Sequence, residues 1–409
     1  MSKICSRNKK TDSLKQKEVT RDCPVCLSNT AEVLHHQRFV LPEKYCLPDN
    51  YDLVSCLKCG FVYADTSATQ KDYDYYYSEL SKYEDEAVAS GTGAADWDIV
   101  RLEDTVSDIK KVITDKSISI LDIGCANGGL LAALKRKGFS NLTGLDPSKA
   151  CVSFVKRKIG IAAYDGGLFN LEALSGKKFD LIVLTHVFEH VLDVKKALKN
   201  VVAHLNDGGL LYLEVPNAGC YSDYFVVLYY YFDCEHINHF DKSSLGNLTS
   251  QQGLECLLAE EKEILISEKK YPALYGFYRK KGHEPVRNIQ PDFSAKRSVL
   301  NYINVSAKIN TWPKLEDIAA ANKPVIVWGA GSFTHRLLAN TALGDCKISL
   351  FIDNDSNKQG TELKAILIKA PDAIDDPTMP IIICSALHSS EIQSQIDQLG
   401  LANEVIILD

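Results

Sequence analysis

From residue 117 onward the chain repeats one pattern: a short apolar run, a turn, then a stretch whose apolar positions recur at helical spacing. Strands are predicted over 118–123, 142–145, 161–164, 179–184 and 209–215, and helices over 129–137, 148–159 and 194–204. Such alternation predicts a parallel sheet covered on both faces. Ahead of it, Ile99, Leu102, Val106, Ile109 and Val112 share one face of a helix over 97–112. Behind it, runs over 254–267 and 271–279 read as an antiparallel edge hairpin, and 285–320 as a helical connector. A second α/β unit opens with a strand at 324–328 and the turn Gly329-Ala330-Gly331. A helix over 333–339, a strand over 348–352 and apolar runs at 379–384 and 404–408 follow it.

The first part of the chain has a different texture. Cys23-Pro-Val-Cys26 and Cys56-Leu-Lys-Cys59 each present two thiolates from a tight knuckle, and 29 residues separate the pairs. Four such sulfurs satisfy a tetrahedral zinc ion and leave no position for water, so the expected metal is structural. His35, His36 and Cys46 could serve as ligands only if one cysteine were not used. The basic stretch before Cys23, which includes Lys17 and Arg21, has no apolar core and reads as a solvated tail. Beyond the knuckles, Tyr73, Tyr75, Tyr76, Tyr77 and Tyr83 stand among acids and serines, as suits the rim of a cleft, and Tyr77 and Tyr83 are the candidate substrate contacts. The expected division is a tail over 1–20, a zinc-binding unit over 21–85, a central α/β domain over 95–282, a connector over 283–322 and a second α/β domain over 323–409.

Composition narrows the partners. A net charge of −7 disfavours a nucleic-acid surface, and the longest apolar stretch, 224–232, is far too short to span a bilayer. Thirteen cysteines, an odd number scattered without a framework, fit a reducing cytoplasm better than a disulfide scaffold.

The chemistry concentrates at Leu121-Asp-Ile-Gly-Cys-Ala-Asn-Gly128. Ligands of α/β sheets collect at the carboxyl ends of the strands, where glycine lets a cofactor approach the backbone. Here Gly124 and Gly128 make that turn, and Ala126 lies within it. The turn lacks the full Gly-x-Gly-x-x-Gly of a dinucleotide site and has Asp122 just upstream, which favours S-adenosylmethionine over nicotinamide. Asp122 is placed for the donor's amino group, Asp146 for both ribose hydroxyls, and Asp165 with Gly166 for the adenine. His186 completes the candidate cofactor contacts.

With the four cysteines, this motif, His186-Val-Phe-Glu-His190, Cys234-Glu-His236 and Gly329-Ala-Gly331, the chain resembles the three-domain sugar C-methyltransferases of deoxysugar biosynthesis. The resemblance runs from about residue 20 to the C-terminus. It implies an α/β protein in which a class I methyltransferase domain of Rossmann-like form is flanked by an N-terminal zinc-binding domain and a C-terminal Rossmann-like domain. It also implies a nucleotide-linked 4-keto sugar as substrate. Methylating carbon beside a ketone needs a base, an electrophilic donor and tight positioning. The resemblance assigns the base to His236, with Glu235 as its companion and His190 as a second active-site histidine. Gly329, Gly331 and Asp353 would contact substrate from the C-terminal domain, which in that family closes over it. The chain departs from the family at Asp233, where a tyrosine is common. An acid there repels a pyrophosphate or enolate unless it is paired.

Three rivals remain open on sequence, one of them a non-catalytic scaffold that binds cofactor for regulation. Methyl transfer to oxygen or nitrogen would use His186 or His190 to remove a proton. An RNA-modifying enzyme would use the cysteine knuckles to grip nucleic acid, against the acidic charge of the chain.

Overall fold

The computed structural model describes residues 15–43, 45–79, 95–224, 226–266, 269–281, 288–309 and 312–408. The N-terminal unit is an antiparallel sheet of β1 (Gln16–Glu18), β2 (Thr30–Arg38), β3 (Asn50–Cys56) and β4 (Val62–Asp65), followed by helix α1 (Gln70–Glu79). The two cysteine knuckles are the turns before β2 and between β3 and β4.

The central unit runs α2 (Asp96–Val112), β5 (Ser119–Ile123), α3 (Gly129–Arg136), β6 (Asn141–Asp146), α4 (Lys149–Phe154), β7 (Ala162–Asp165), β8 (Phe179–Thr185), α5 (Val194–Ala203) and β9 (Leu205–Pro216). After β9 come a two-residue strand β10 (Asn238–His239), α6 (Lys242–Ser250), β11 (Leu254–Ile266) and β12 (Lys269–Lys280). Its seven strands lie in the order β11-β12-β9-β8-β5-β6-β7, parallel except for the β11–β12 hairpin and its pairing to β9. Strand β5 thus has β6 on one side and β8 on the other, where the winding reverses and a crevice opens. Leu102, Val106 and Ile109 of α2 cover one face with Leu131 and Leu134 of α3. Leu198 and Val201 of α5 cover the other with Leu245 and Leu248 of α6.

Two further helices, α7 (Ser294–Ile309) and α8 (Pro313–Ala321), lead into β13 (Pro324–Trp328), α9 (Ser332–Asn340), β14 (Lys347–Ile352), β15 (Glu362–Leu363), β16 (Ile366–Lys369), β17 (Ile381–Cys384), α10 (Ser389–Gln398) and β18 (Val405–Leu408). The C-terminal sheet has the order β15-β16-β14-β13-β17-β18, with its own reversal at β13.

Three expectations need correction. Lys17 and Arg21 do not belong to a solvated tail. Lys17 lies 2.6 Å from both Asp52 and Asp65, and Arg21 donates to the carbonyls of Ala64, Ile237 and Leu192 and to Asn238. Lys17 thus ties β1 into the N-terminal sheet through two acids, and Arg21 staples that unit to the central one through backbone carbonyls and Asn238. The helix predicted over 148–159 leaves α geometry after Phe154 and finishes as a π turn to Ile159, closed by Gly160 at φ 68°. The connector is helical, yet α7 is no mere link: Val299 and Tyr302 are fully buried in a core with Leu53 and Val62 of the N-terminal sheet.

The cysteine knuckles are equally integrated. Cys23, Val25 and Phe61 pack in the same core as α5 and α6. A Cβ on Gly60 (φ 84°) would fall 1.8 Å from the carbonyl oxygen of Asp292, so the second knuckle closes only with glycine there. No helix among the described residues is long and apolar enough to cross a membrane.

Candidate active site

A cleft of about 480 Å³ opens at the carboxyl end of β5, lined by the glycine turn, Asp122, Asp146, Asp165, Gly166, His186, His190 and Tyr77. The turn folds back on the next strand: Gly124 and Cys125 donate to the carbonyl of Leu145, and Ala126 donates to Asp146 Oδ2 at 2.8 Å. Asp146 Oδ1 accepts the amide of Ser148 at 2.9 Å. Gly124 and Gly128 both take φ 76°, and a Cβ on Gly124 would press within 2.8 Å of Val187 Cγ2. Ala126 holds the left-handed region without being glycine, at φ 44°.

Asp122 is 2% exposed at the end of β5. Burial pushes its carboxyl up to about 7, reinforced by the charge of Asp146 and opposed by Arg101. Arg101 lines the cleft from α2 and forms a two-nitrogen contact with the buried Asp98. Gly166 donates its amide to the carbonyl of Asp146, which ties the adenine-side loop to β6.

His186 follows β8 at φ 52°, with Nδ1 3.1 Å from Glu189 Oε1 and Nε2 3.3 Å from Glu214 Oε1. Burial works to lower its pKa, but the hydrogen bonds and charges of the two glutamates prevail and lift it to about 9. Glu214 in turn meets Lys262 at 2.8 Å and accepts from Tyr212 at 2.6 Å, and Lys262 continues to Asp108 at 3.0 Å. The two carboxylates therefore favour the protonated ring. This carboxylate pair weighs against His186 as the base that the oxygen- or nitrogen-transfer alternative would use.

His190 differs. It ends the short 3₁₀ turn Phe188–His190, and Nδ1 donates to the carbonyl oxygen of Glu235 at 3.0 Å, while Nε2 lies 3.9 Å from Glu189 Oε1. The rings of His190 and His236 meet edge to face at 4.7 Å, and Tyr77 meets His190 at 5.7 Å. Glu189, His190 and His236 thus form one cluster of buried or half-buried groups. His236 is not among the cleft-lining residues; His190 is. The Glu235 carboxylate, expected as the partner of His236, accepts from Tyr76 at 2.6 Å. His239 is buried against Tyr221 at 3.1 Å, with its pKa lowered by burial to about 3, and is a packing residue.

Of the candidate substrate contacts, Tyr77 reaches the cleft and Tyr83 lies outside the described residues. Gly329, Gly331 and Asp353 do not line it. They form a second turn of the same construction, in which Ala330 donates to Asp353 Oδ2 at 2.8 Å, but Lys358 stands 3.1 Å from that oxygen. A local salt bridge thus engages the acid expected to meet ligand. Asp233 is paired as well, 3.1 Å from Arg336 Nη1 on α9. Arg101, Glu189, Glu214, Lys262 and Arg336 were not singled out from sequence. Of these, Glu189 alone carried a local signal, inside His186-Val-Phe-Glu-His190.

The four knuckle sulfurs converge, with every pair within 4.8 Å; Cys23 and Cys59 are 3.6 Å apart, and Cys26 and Cys56 are 3.4 Å apart.

Residues 98–259 match the family model of a methyltransferase domain, and 321–407 match a model described as C2185-like, N-terminal. The ubiquinone biosynthesis O-methyltransferase of Methylobacterium nodulans is 28% identical over 128 residues, which is 29% of this chain and 51% of that protein. Its counterpart from Rickettsia prowazekii is 29% identical over 124 residues, 29% of this chain and 48% of that protein. The chain spans about half the length of the curated relatives it matches. Among solved structures, the N-methyltransferase NodS from Bradyrhizobium japonicum, in complex with S-adenosyl-L-homocysteine, aligns with TM-score 0.37 and 17% identity over 48% of this chain and 96% of that one. The central unit thus combines a match to a methyltransferase domain over residues 98–259 with a largely parallel α/β sheet.

Proposed function

We propose that the chain transfers the methyl group of S-adenosylmethionine to carbon beside the ketone of a nucleotide-linked keto-deoxysugar. The observation that carries this reading is the juxtaposition, in one cleft, of the Asp122–Asp146 turn and a histidine whose Nδ1 is engaged by a backbone carbonyl, which turns Nε2 to the other side of the ring. S-adenosylmethionine, when bound, supplies an electrophilic methyl group on a sulfonium sulfur. Two buried carboxylates beside a glycine turn fit its ammonium group and ribose hydroxyls, and Asp165 with Gly166 fits its adenine.

His190 takes the acidic proton of the acceptor at Nε2, and His236, packed against it, is the partner through which the proton leaves. The Glu235 carbonyl fixes the His190 tautomer, so the basic nitrogen is the one left for the substrate. Glu189, which also faces His186, favours the imidazolium that forms. Tyr77 closes the ring-lined wall and holds the acceptor. This reading places the first proton acceptor on His190, because His190 lines the cleft, and keeps His236 in the pair on the strength of the family resemblance.

A second reading, methyl transfer to oxygen by the same pair, is favoured by the O-methyltransferases among the curated relatives. For the cysteine cluster we infer a structural zinc. A tetrahedral ion with bonds of about 2.3 Å sets its sulfurs about 3.8 Å apart, and the observed separations are of that size. No disulfide joins the twelve cysteines among the described residues, which fits a reducing, cytoplasmic setting.

The test is to incubate the chain with methyl-labelled S-adenosylmethionine and a panel of thymidine-, cytidine- and guanosine-linked keto sugars, then locate the label by NMR. Label on carbon next to the carbonyl supports C-methylation. Label on oxygen selects the second reading, and unlabelled sugars throughout would refute the substrate class.

A further inference from the structure

All three units hold the four residues Asp233–His236. From the N-terminal sheet, Tyr51 donates to the carbonyl of Asp233 at 3.1 Å; from α1, Tyr73 donates to the carbonyl of Cys234 at 3.2 Å and Tyr76 to the carboxylate of Glu235 at 2.6 Å. The central domain adds the His190 contact with the Glu235 carbonyl. The C-terminal domain contributes Arg336, whose side chain is 1% exposed.

The Arg336 contact bears on the geometry of the whole turn. Asp233 Oδ2 receives Arg336 Nη1 at 3.1 Å while Oδ1 accepts the amide of Cys234 at 2.8 Å, and the Asp233 carbonyl accepts the amide of His236 at 3.3 Å. One carboxylate rotamer therefore sets the start of the turn whose last residue is His236. The rings of Tyr230 and Phe333 flank the guanidinium at about 6 Å, and the Val40 amide donates to the carbonyl of the adjacent His335 at 2.9 Å, which seats α9 on the N-terminal unit.

We propose that Arg336 is a positioning residue for methyl transfer: acting through Asp233, it holds the Asp233–His236 turn so that His236 meets His190 edge to face. The proposal rests on the reading of those two histidines as the proton-handling pair. It gives the C-terminal domain a part in assembling the active site, since that domain sends none of its glycine-turn residues to the cleft. The Asp233–Arg336 pair also accounts for the acid that stands where the resembled family commonly has tyrosine: its charge is consumed between domains and does not face substrate.

The test uses the full chain with Arg336→Met and Asp233→Asn combined, so that neither charge is left buried alone. Three quantities are read: kcat and KM for methyl transfer, affinity for S-adenosylmethionine by calorimetry, and the Cε1–H resonances of His190 and His236. The expected result is a fall in kcat of tenfold or more, donor affinity within twofold of wild type, and displaced resonances for both histidines. Arg336→Lys, which keeps the charge and loses the planar fork, is expected to recover part of kcat. Wild-type kcat together with unshifted histidine resonances in the double variant overturns the proposal. If wild type itself methylates no acceptor in the panel, the functional reading fails, and the histidine resonances alone still decide whether Arg336 positions the pair. Should the double variant not fold, Arg336→Lys carries the same decision: unshifted resonances and unchanged kcat overturn it.

Discussion

Asp146 accepts the amide proton of Ala126 at 2.8 Å, and 207 residues later in the chain Asp353 accepts that of Ala330 at the same distance. The two domains thus build one device twice, a glycine turn pinned to the acid that ends the next strand. They differ in what surrounds it: Lys358 covers Asp353, whereas Asp146 opens on the cleft.

This contrast predicts which acid binds the methyl donor. Losing hydrogen bonds to a charged group costs roughly 1.5–3 kcal/mol each, so Asp146→Ala is expected to weaken S-adenosylmethionine on the order of a hundredfold. Asp353→Ala is expected to leave that affinity within twofold of wild type. Calorimetric titration of both variants checks the pair, and equal losses would break the assignment.

Donor binding is also expected to depend on pH through Asp122. Its carboxyl sits at about 7 because burial and Asp146 disfavour the charge, and the charged form is the one that receives an ammonium group. Affinity is therefore full above pH 7 and falls as the pH drops below it, by up to about tenfold per unit. Asp122→Asn is expected to bind weakly with a flat profile between pH 6 and 8. A flat profile in wild type would contradict the role.

His186 makes the opposite prediction for stability. Its pKa is lifted to about 9 in the fold, against an unfolded value of about 6.5. The protonated ring between Glu189 and Glu214 therefore stabilises the protein fully below pH 6.5, and that contribution is lost as pH rises through 9. Melting curves of wild type and His186→Gln should converge as pH is raised from 6 to 10. A constant gap would place the proton elsewhere.

Metal removal bears on the first unit. Because Cys23, Val25 and Phe61 share the core that covers α5 and α6, losing the cysteine clasp is expected to destabilise the central domain along with the knuckles. Cys26→Ser, or stripping by a strong chelator, is expected to cost on the order of 5 kcal/mol, about 10–20 °C of melting temperature. One zinc per chain by elemental analysis, lost in the variant, accompanies that result. An unchanged melting curve would remove the structural role.

The central sheet was legible in the sequence because its strands are buried runs such as Ile120–Ile123 and Phe179–Leu184, separated by helices of clear period. The glycine turn and Asp122 and Asp146 followed from the same pattern. What escaped was set by tertiary pairing. Arg336 and Asp233 are 103 residues apart, and neither carries a local signal of the other. Lys17 and Arg21 look like a solvated tail until Asp52, Asp65 and the carbonyls of Ala64 and Ile237 are brought to them. Strand β10 has two residues, too few to show any period, yet it joins the central domain to the N-terminal sheet. His186 was readable as a site residue, but its charge was not, since Glu214 lies a strand away.

The proposed methyl transfer requires the cleft to hold S-adenosylmethionine between Asp122 and Asp146. Isothermal titration of the wild-type chain at pH 8 with S-adenosylmethionine, and separately with S-adenosylhomocysteine, tests it most directly. One binding site per chain for each ligand is the predicted result, and the absence of heat with both would contradict it.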